Sequence, residues 1–184
     1  MTRFIVLKEA VSKHENKMVN AIHIGLHKSA STFIQDVLLK KHPDIIPFYF
    51  HDDTVGKVMA YDFTYNRKKQ RDLILKQIKE LNTNKKIIIS NERLSGCSFS
   101  GRGSLAFAEE LKYYFGKKKI ILVLRNPYSY LLSLWKYSTQ LGNTLSLSRF
   151  LSDYSKSPCF PTRFHSIYVK MRYDLYVKKL IRLY

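Results

Sequence analysis

Short apolar runs rich in β-branched residues alternate along the chain with segments of helical periodicity. Four of these runs predict strands, at about Ala21 to Ile24, Ile46 to Phe50, Ile87 to Ser90 and Lys119 to Leu124. A run that is apolar on both faces is typical of a strand inside a parallel sheet, because helices cover such a sheet on both sides. The alternation therefore predicts an α/β fold, a three-layer α/β/α sandwich with about four parallel strands.

The segments between these runs carry the spacing and the end signals of helices. From about Ser31, four apolar residues share one predicted face, namely Phe33, Ile34, Val37 and Leu38. A basic helix is predicted from about Asn66 to Leu81, and its inward residues are Ile74, Ile78 and Leu81. This spacing indicates that each helix turns one apolar side toward the sheet.

Later helices are marked mainly by their ends. A helix predicted from about Ser104 to Tyr114 is closed by Gly116. The next is predicted to have Asn126 as its N-cap, Pro127 in its first position and an end at Gly142. The remainder, 146–184, predicts helices interrupted at Pro158 and Pro161.

Length and composition predict one domain over 1–184. The 184 residues contain no internal repeat and no Pro/Gly/Ser-rich linker. No apolar stretch approaches the roughly 18 residues that span a bilayer, and the short apolar patch at the N-terminus lacks a signal-peptide core. We therefore expect a cytoplasmic protein without a membrane span. Cys97 and Cys159 are interpreted as free thiols rather than a disulfide framework.

The formal charge of +18, from 32 basic and 14 acidic residues, favours anionic partners. Charge alone does not choose among nucleic acid, an acidic membrane, a phosphorylated cofactor and a sulfated glycan. A nucleic-acid-binding protein stays an alternative, although it is disfavoured because no DNA- or RNA-reading motif is present and the basic runs are not gathered on one helix.

The segment from Gly25 to Phe33 lies where a predicted strand meets a predicted helix. The first N–H groups of a helix have no partner within it, and the helix dipole adds partial positive charge. Lys28 adds a full charge, and further donors come from the hydroxyls of Ser29, Ser31 and Thr32. The segment predicts an anion site.

This loop is not a Walker A loop. That motif requires glycine immediately before the lysine and again five residues earlier, where this chain has His27 and Ile22. A hydrolase of ATP or GTP, and likewise a small-molecule kinase, is therefore disfavoured.

A second segment places Arg125 at the C-terminal end of a predicted parallel strand, which is where ligands bind in open α/β sheets. An arginine there suits bidentate contact with a phosphate. Ser133 lies two turns into the following helix, on the face it shares with Ser129. Separately, Arg125 and Ser133 can also be ordinary surface residues.

Together, the two segments resemble the sulfotransferases that use 3′-phosphoadenosine-5′-phosphosulfate (PAPS). Lys28-Ser-Ala-Ser-Thr32 resembles their Lys-Ser-Gly-Thr-Thr 5′-phosphosulfate loop. Arg125, Pro127 and Ser133 match the spacing of their 3′-phosphate motif. The resemblance implies a P-loop NTPase-like sandwich and transfer of a sulfuryl group from PAPS to a hydroxyl or amine of a carbohydrate or other small molecule, with no metal.

The resemblance also implies a role for each matching residue. Lys28 contacts the oxygen that bridges phosphate and sulfate, and the 5′-phosphate is held by Ser29, Ala30, Ser31 and Thr32. Arg125 and Ser133 bind the 3′-phosphate. Phe33 stands where an aromatic residue stacks on adenine, with a core phenylalanine as the alternative.

Glu92 follows the predicted third strand and resembles the carboxylate base of carbohydrate sulfotransferases. Proton removal of this kind contributes a factor of about 10² to 10⁴. The alternatives are a carboxylate that only pairs with Arg93 or Lys28, and the weaker candidate bases His23 and His27.

The chain departs from the family pattern in two ways. Ala30 and Ser31 replace Gly and Thr, which is tolerable if Ala30 keeps a negative φ. Family members also run well beyond the position of Tyr184, so the resemblance implies a C-terminally shortened domain with an exposed sheet edge. A non-catalytic module that binds PAPS or its desulfated product, PAP, is therefore the main alternative.

Overall fold

In a computed structural model, the structure describes residues 2–7, 18–49, 66–96, 103–152 and 173–183. The predicted breaks at Pro158 and Pro161, and both cysteines, lie outside these ranges. Within them, no helix has both the length and the apolar character needed to cross a membrane.

Five strands form one sheet in the order β1-β5-β2-β4-β3. Their bounds are β1 Thr2–Leu7, β2 Val19–Gly25, β3 Ile45–Tyr49, β4 Lys86–Ser90 and β5 Lys119–Arg125. Strands β2 to β5 are mutually parallel, which confirms the predicted central sheet. The four predicted strands differ from the observed ones by no more than two residues at either end.

Strand β1 was not predicted. It pairs antiparallel with β5, from Thr2 opposite Arg125 to Leu7 opposite Ile120. The apolar patch at the N-terminus thus forms an edge strand. From the sequence, we interpreted it only as lacking a signal-peptide core. Strand β5 is therefore paired on both sides, with β1 and β2.

The helices lie between and after the strands. Their bounds are α1 Ser31–Phe33, continued by a π-helical segment Ile34–Leu39, then α2 Arg67–Glu80, α3 Ser104–Phe115, α4 Pro127–Gln140, α5 Leu147–Ser152 and α6 Tyr173–Leu183. A short 3₁₀ helix, Glu92–Ser95, follows β4. The predicted ends of α3 and α4 are confirmed, with Gly116 and Gly142 at φ 76° and 90°.

Alternation along the strands divides the core between the two faces of the sheet. On one face, strand residues pack with α2, α3 and α6 in a cluster that includes Ile22, Ile24, Ile89, Leu122, Ile78, Leu111 and Leu180. On the other face, a smaller cluster contains Ala21, Ile88, Val123, Ile34 and Leu39. Helices therefore cover both faces, and the three-layer α/β/α architecture is confirmed.

The predicted apolar face of α1 is partly wrong. Ile34 and Leu39 are buried, whereas Phe33, Val37 and Leu38 are exposed. The reason is the π-helical hydrogen bonding, in which Lys40 N–H donates to the carbonyl of Gln35. That geometry brings residues five apart, rather than three or four apart, onto one side of the helix. In α2, Ile74 and Ile78 are buried as predicted, but Leu81 is exposed just beyond the helix.

Candidate functional site

Three neighbouring strands bring the predicted site residues to one edge of the sheet. β2 lies between β4 and β5, with His23 opposite Ser90 and Gly25 opposite Val123. After β2, the chain adds β3 and β4 to one side of that strand. It then crosses over and adds β5 to the other side. Strand order therefore reverses at β2, and ligands of open α/β sheets bind at the carboxyl ends of strands beside such a reversal.

The loop after β2 is tightly folded. Ser29 N–H and the Ser31 hydroxyl both donate to the carbonyl of Leu26, at 3.2 and 3.3 Å. A Cβ atom added at Gly25 would collide with Ser31 Oγ, so the strand must end in glycine for the loop to fold back this closely.

Ala30 does not keep the negative φ that the sequence comparison required. Lys28 and Ala30 adopt φ 61° and 65°, in the left-handed region. For residues with a Cβ this conformation costs roughly 1–2 kcal/mol each. The condition under which alanine is tolerable here is therefore not met: the loop uses the conformation that favours glycine although the chain supplies alanine.

Several groups of this loop could bind an anion. Ser29 is only 1% exposed, and its Oγ has no hydrogen-bond partner among the described residues. Ser31 is also buried, whereas Thr32 is exposed at the start of α1. Helix N–H groups and hydroxyls together suit a phosphate or a sulfate. The structure thus places Ser29 to Thr32 in one compact turn, as the sequence predicted.

Arg125 reaches the same loop from the end of β5. Its Nη1 donates to the main-chain carbonyl of Lys28 at 2.7 Å. The two segments that the sequence singled out, 97 positions apart, are therefore in direct contact. Arg125 also fixes the backbone of a residue that has a positive φ, which the sequence gave no reason to expect.

Lys28 extends toward α4. Its Nζ lies 4.0 Å from the centre of the Tyr137 ring, within the range of a cation–π contact. Tyr137 stands one helical turn after the half-buried Ser133 and two turns after Ser129. The tyrosine was not predicted, although its spacing of four residues from Ser133 places it on the face of the two predicted serines.

Asn126 and Pro127 shape the start of α4 as predicted. The Asn126 side chain accepts hydrogen bonds from the N–H groups of Tyr128 and Ser129. This cap fixes the direction in which the helix leaves β5, and so the position of Ser133 relative to Arg125. At the start of α1, Phe33 is 53% exposed, which excludes the alternative of a core phenylalanine.

Glu92 opens the 3₁₀ helix that follows β4, and Asn91 caps this turn by accepting from Arg93 N–H at 2.8 Å. Glu92 Oε1 lies 3.5 Å from His27 Nδ1, and the side chain is 42% exposed. The structure thus gives Glu92 a contact with His27 that the sequence did not indicate, while Lys28 and Arg93, named in the alternative interpretation, act on it through their charges.

The surroundings of Glu92 lower its pKa. The hydrogen bond from His27 is the largest cause, burial opposes it, and the positive charges of His27, Lys28 and Arg93 act in the same direction as the hydrogen bond. The carboxylate therefore stays ionised to lower pH than an ordinary glutamate, and is a correspondingly weaker base.

His23 lies beneath the loop and is fully buried. Its Nδ1 is 2.8 Å from Ser90 Oγ, which also accepts from Gln35 Nε2 at 3.1 Å. Burial lowers the His23 pKa to about 4, with an opposing effect of Glu92. This buried imidazole links β2 to β4 through its contact with Ser90.

Fold and site together define an α/β protein with a candidate anion-binding site at the carboxyl edge of its parallel sheet. Comparison of the chain with protein-family models, curated proteins and solved structures finds no match in any of the three. Within the described ranges, no three His, Cys, Asp or Glu side chains converge as metal ligands would.

Proposed function

We propose that the chain binds PAPS at the carboxyl edge of the sheet and transfers its sulfuryl group to a hydroxyl or amine of a carbohydrate or other small molecule. The observation that carries this proposal is the 2.7 Å contact between Arg125 Nη1 and the Lys28 carbonyl. This contact joins the two segments that resemble the 5′- and 3′-phosphate motifs of sulfotransferases. It is independent of the motif matches, which concern each segment separately.

The loop supplies the groups for the 5′ end of the donor. The N–H groups at the start of α1 and the buried Ser29 hydroxyl are donors suited to a phosphate. Exposed Thr32 and Phe33 stand at the open side of this turn, where a phosphate and an adenine ring would approach.

Arg125 and Ser133 would bind the 3′-phosphate. A guanidinium has five N–H donors, so the contact with the Lys28 carbonyl is compatible with a bidentate contact to phosphate. Asn126 directs α4 so that Ser133 and Tyr137 lie along one face, and Lys28 reaches that face through Tyr137. The groups that bind the 5′-phosphate and those that bind the 3′-phosphate would then lie on either side of the Lys28 side chain.

PAPS supplies an activated sulfuryl group when it is bound. In transfer, the acceptor oxygen or nitrogen would form a bond to sulfur, the bond between sulfur and the bridging phosphate oxygen would break, and the acceptor proton would leave. Glu92 would receive this proton, and Lys28 would stabilise the negative charge on the departing phosphate oxygen. Cationic side chains and main-chain donors can provide such stabilisation when they are already oriented.

A non-catalytic module that binds PAPS or PAP is the second candidate. The lowered pKa of Glu92 favours it, because a carboxylate with a lowered pKa accepts a proton less readily. The two candidates share the donor site and differ only in turnover.

A sulfuryl-transfer assay separates the two candidates. The purified chain is supplied with PAPS labelled in its sulfur, and label is followed into hydroxylated and amino acceptors. Transfer that Glu92→Gln slows by about 10² or more, while PAP affinity is retained, supports the enzyme. PAP binding without transfer to any acceptor class supports the binding module, and unchanged transfer in Glu92→Gln removes Glu92 from its role.

A further inference from the structure

His27 connects the loop after β2 with the turn after β4. It stands immediately before Lys28, and its ring is largely buried. One nitrogen, Nε2, lies 3.1 Å from the carbonyl oxygen of Gly96, and the other, Nδ1, lies 3.5 Å from Glu92 Oε1. The imidazole therefore contacts both ends of the 3₁₀ turn, at its first residue and at the glycine that terminates it.

The contact with Gly96 determines which ring nitrogen of His27 carries a hydrogen. A carbonyl oxygen only accepts, so Nε2 must carry a hydrogen. Nδ1 then faces the Glu92 carboxylate at 3.5 Å, and in the doubly protonated ring it is a hydrogen-bond donor to Oε1.

This arrangement gives His27 a role other than that of a base. Both of its nitrogens already contact acceptors within the protein, whereas the Glu92 side chain is 42% exposed to solvent. We propose that His27 is the positioning residue of Glu92, fixing the carboxylate to the loop that carries Lys28 so that the two side chains face one crevice. This inference rests on the proposed function for its catalytic meaning, but its structural content can be tested separately.

The charged and titratable groups around Glu92 set the expected direction of the pH effect. Lys28 and Arg93 act on Glu92 together with His27, and His23 lies on β2 within its electrostatic reach. Removing His27 removes the largest cause of the lowered Glu92 pKa, while burial, which raises it, and the charges of Lys28 and Arg93, which lower it, remain. Without His27, the Glu92 pKa therefore rises, and ionisation is lost at a higher pH.

Two substitutions separate the two contacts of the ring. His27→Gln reaches toward the Gly96 carbonyl but offers nothing in the place of Nδ1. His27→Asn offers a neutral N–H near the place of Nδ1 but does not reach Gly96. His42→Gln is the matched control, because His42 is an exposed histidine on the turn before β3.

The first readout needs no activity. The carboxyl ¹³C resonance of Glu92 is followed from acid to neutral pH in the full chain. We expect the titration midpoint to move to higher pH in His27→Gln, to move less in His27→Asn, and to stay in place in His42→Gln. A midpoint that does not move in either His27 variant overturns the proposal. If the glutamine variant does not fold, the asparagine variant alone decides, because it too must shift.

The second readout is the pH dependence of sulfuryl transfer. We expect kcat in His27→Gln to fall between about tenfold and 100-fold with little change in the KM for PAPS, and the acid limb of the profile to move to higher pH. A lower kcat with an unchanged acid limb overturns the positioning role. If the Glu92 midpoint shifts but neither parent nor variant transfers sulfate, the His27 assignment stands and the proposed enzymatic function fails.

Discussion

The loop after β2 and the start of α4 after β5 lie at the same edge of the sheet, yet they are built differently. The α4 start follows local rules, with Asn126 as N-cap and Pro127 in the first position. The β2 loop departs from them, with Lys28 and Ala30 at positive φ and a buried Ser29 hydroxyl that has no partner among the described residues. Strained backbone that persists is held by tertiary contacts, and it concentrates at functional sites.

The contact between the two regions explains how the strained loop is maintained. Arg125 is the last residue of β5, so its position is set by the sheet and by the cap that follows it. From there it donates to the Lys28 carbonyl. A regular region thus supports an irregular one, and substitutions in the two regions should have different consequences.

The largest effect is expected for Lys28→Ala in the loop. Loss of the ammonium should reduce sulfuryl transfer about 100-fold or more, in the range seen when one oriented group at a developing negative charge is removed. The initial rate at saturating PAPS measures this effect. Lys76→Ala removes the same charge from an exposed site on α2, so it should stay close to the parent; an equal loss in both variants would show that only net charge matters.

A smaller effect, on stability, is expected for Asn126→Ala. The side chain accepts from two N–H groups at the start of α4, and loss of such a cap typically lowers the free energy of unfolding by about 1 kcal/mol. Urea unfolding of the parent and the variant measures the difference. A variant as stable as the parent would contradict the view that this start is fixed by its local cap.

Effects of at most similar size, with opposite signs in the two kinds of structure, are expected for alanine-to-glycine changes. At Ala30 glycine removes the cost of positive φ and should raise stability by up to about 1 kcal/mol. At Ala106, inside α3, the same change should lower stability by about 1 kcal/mol. Urea midpoints compare the two variants, and a loss of stability in both would mean that the loop is not strained at Ala30.

Sequence patterns predicted the regular parts of the fold because those parts follow local rules. Three of the four parallel strands are largely buried runs and β3 is half-buried, and the ends of α3 and α4 carry glycine, asparagine and proline in their usual places. Strand β1 was missed because its edge position depends on pairing with β5, which no local pattern reveals. The exposed Val37 and Leu38 were misplaced because periodicity assumes an α-helix rather than a π-helical segment.

The site was predicted as a set of residues but not as a set of contacts. Motif spacing selected Lys28, Arg125 and Ser133, and the position after the third predicted strand selected Glu92. The structure brings the segments that carry them to one edge. Their partners come from tertiary geometry. The contact of Glu92 with His27 spans 65 positions, too far for any helical or strand periodicity to link them.

The central claim is that two segments, one from β2 and one from β5, form a single site for PAPS. Calorimetric titration of the purified chain with PAP, with ATP as the competing nucleotide, tests it most directly. We expect PAP to bind, ATP to bind much more weakly, and Arg125→Ala to weaken PAP binding about 10- to 100-fold, as loss of a charged hydrogen bond predicts. A folded parent chain that does not bind PAP, or an Arg125→Ala variant that binds it as tightly as the parent, would contradict the claim.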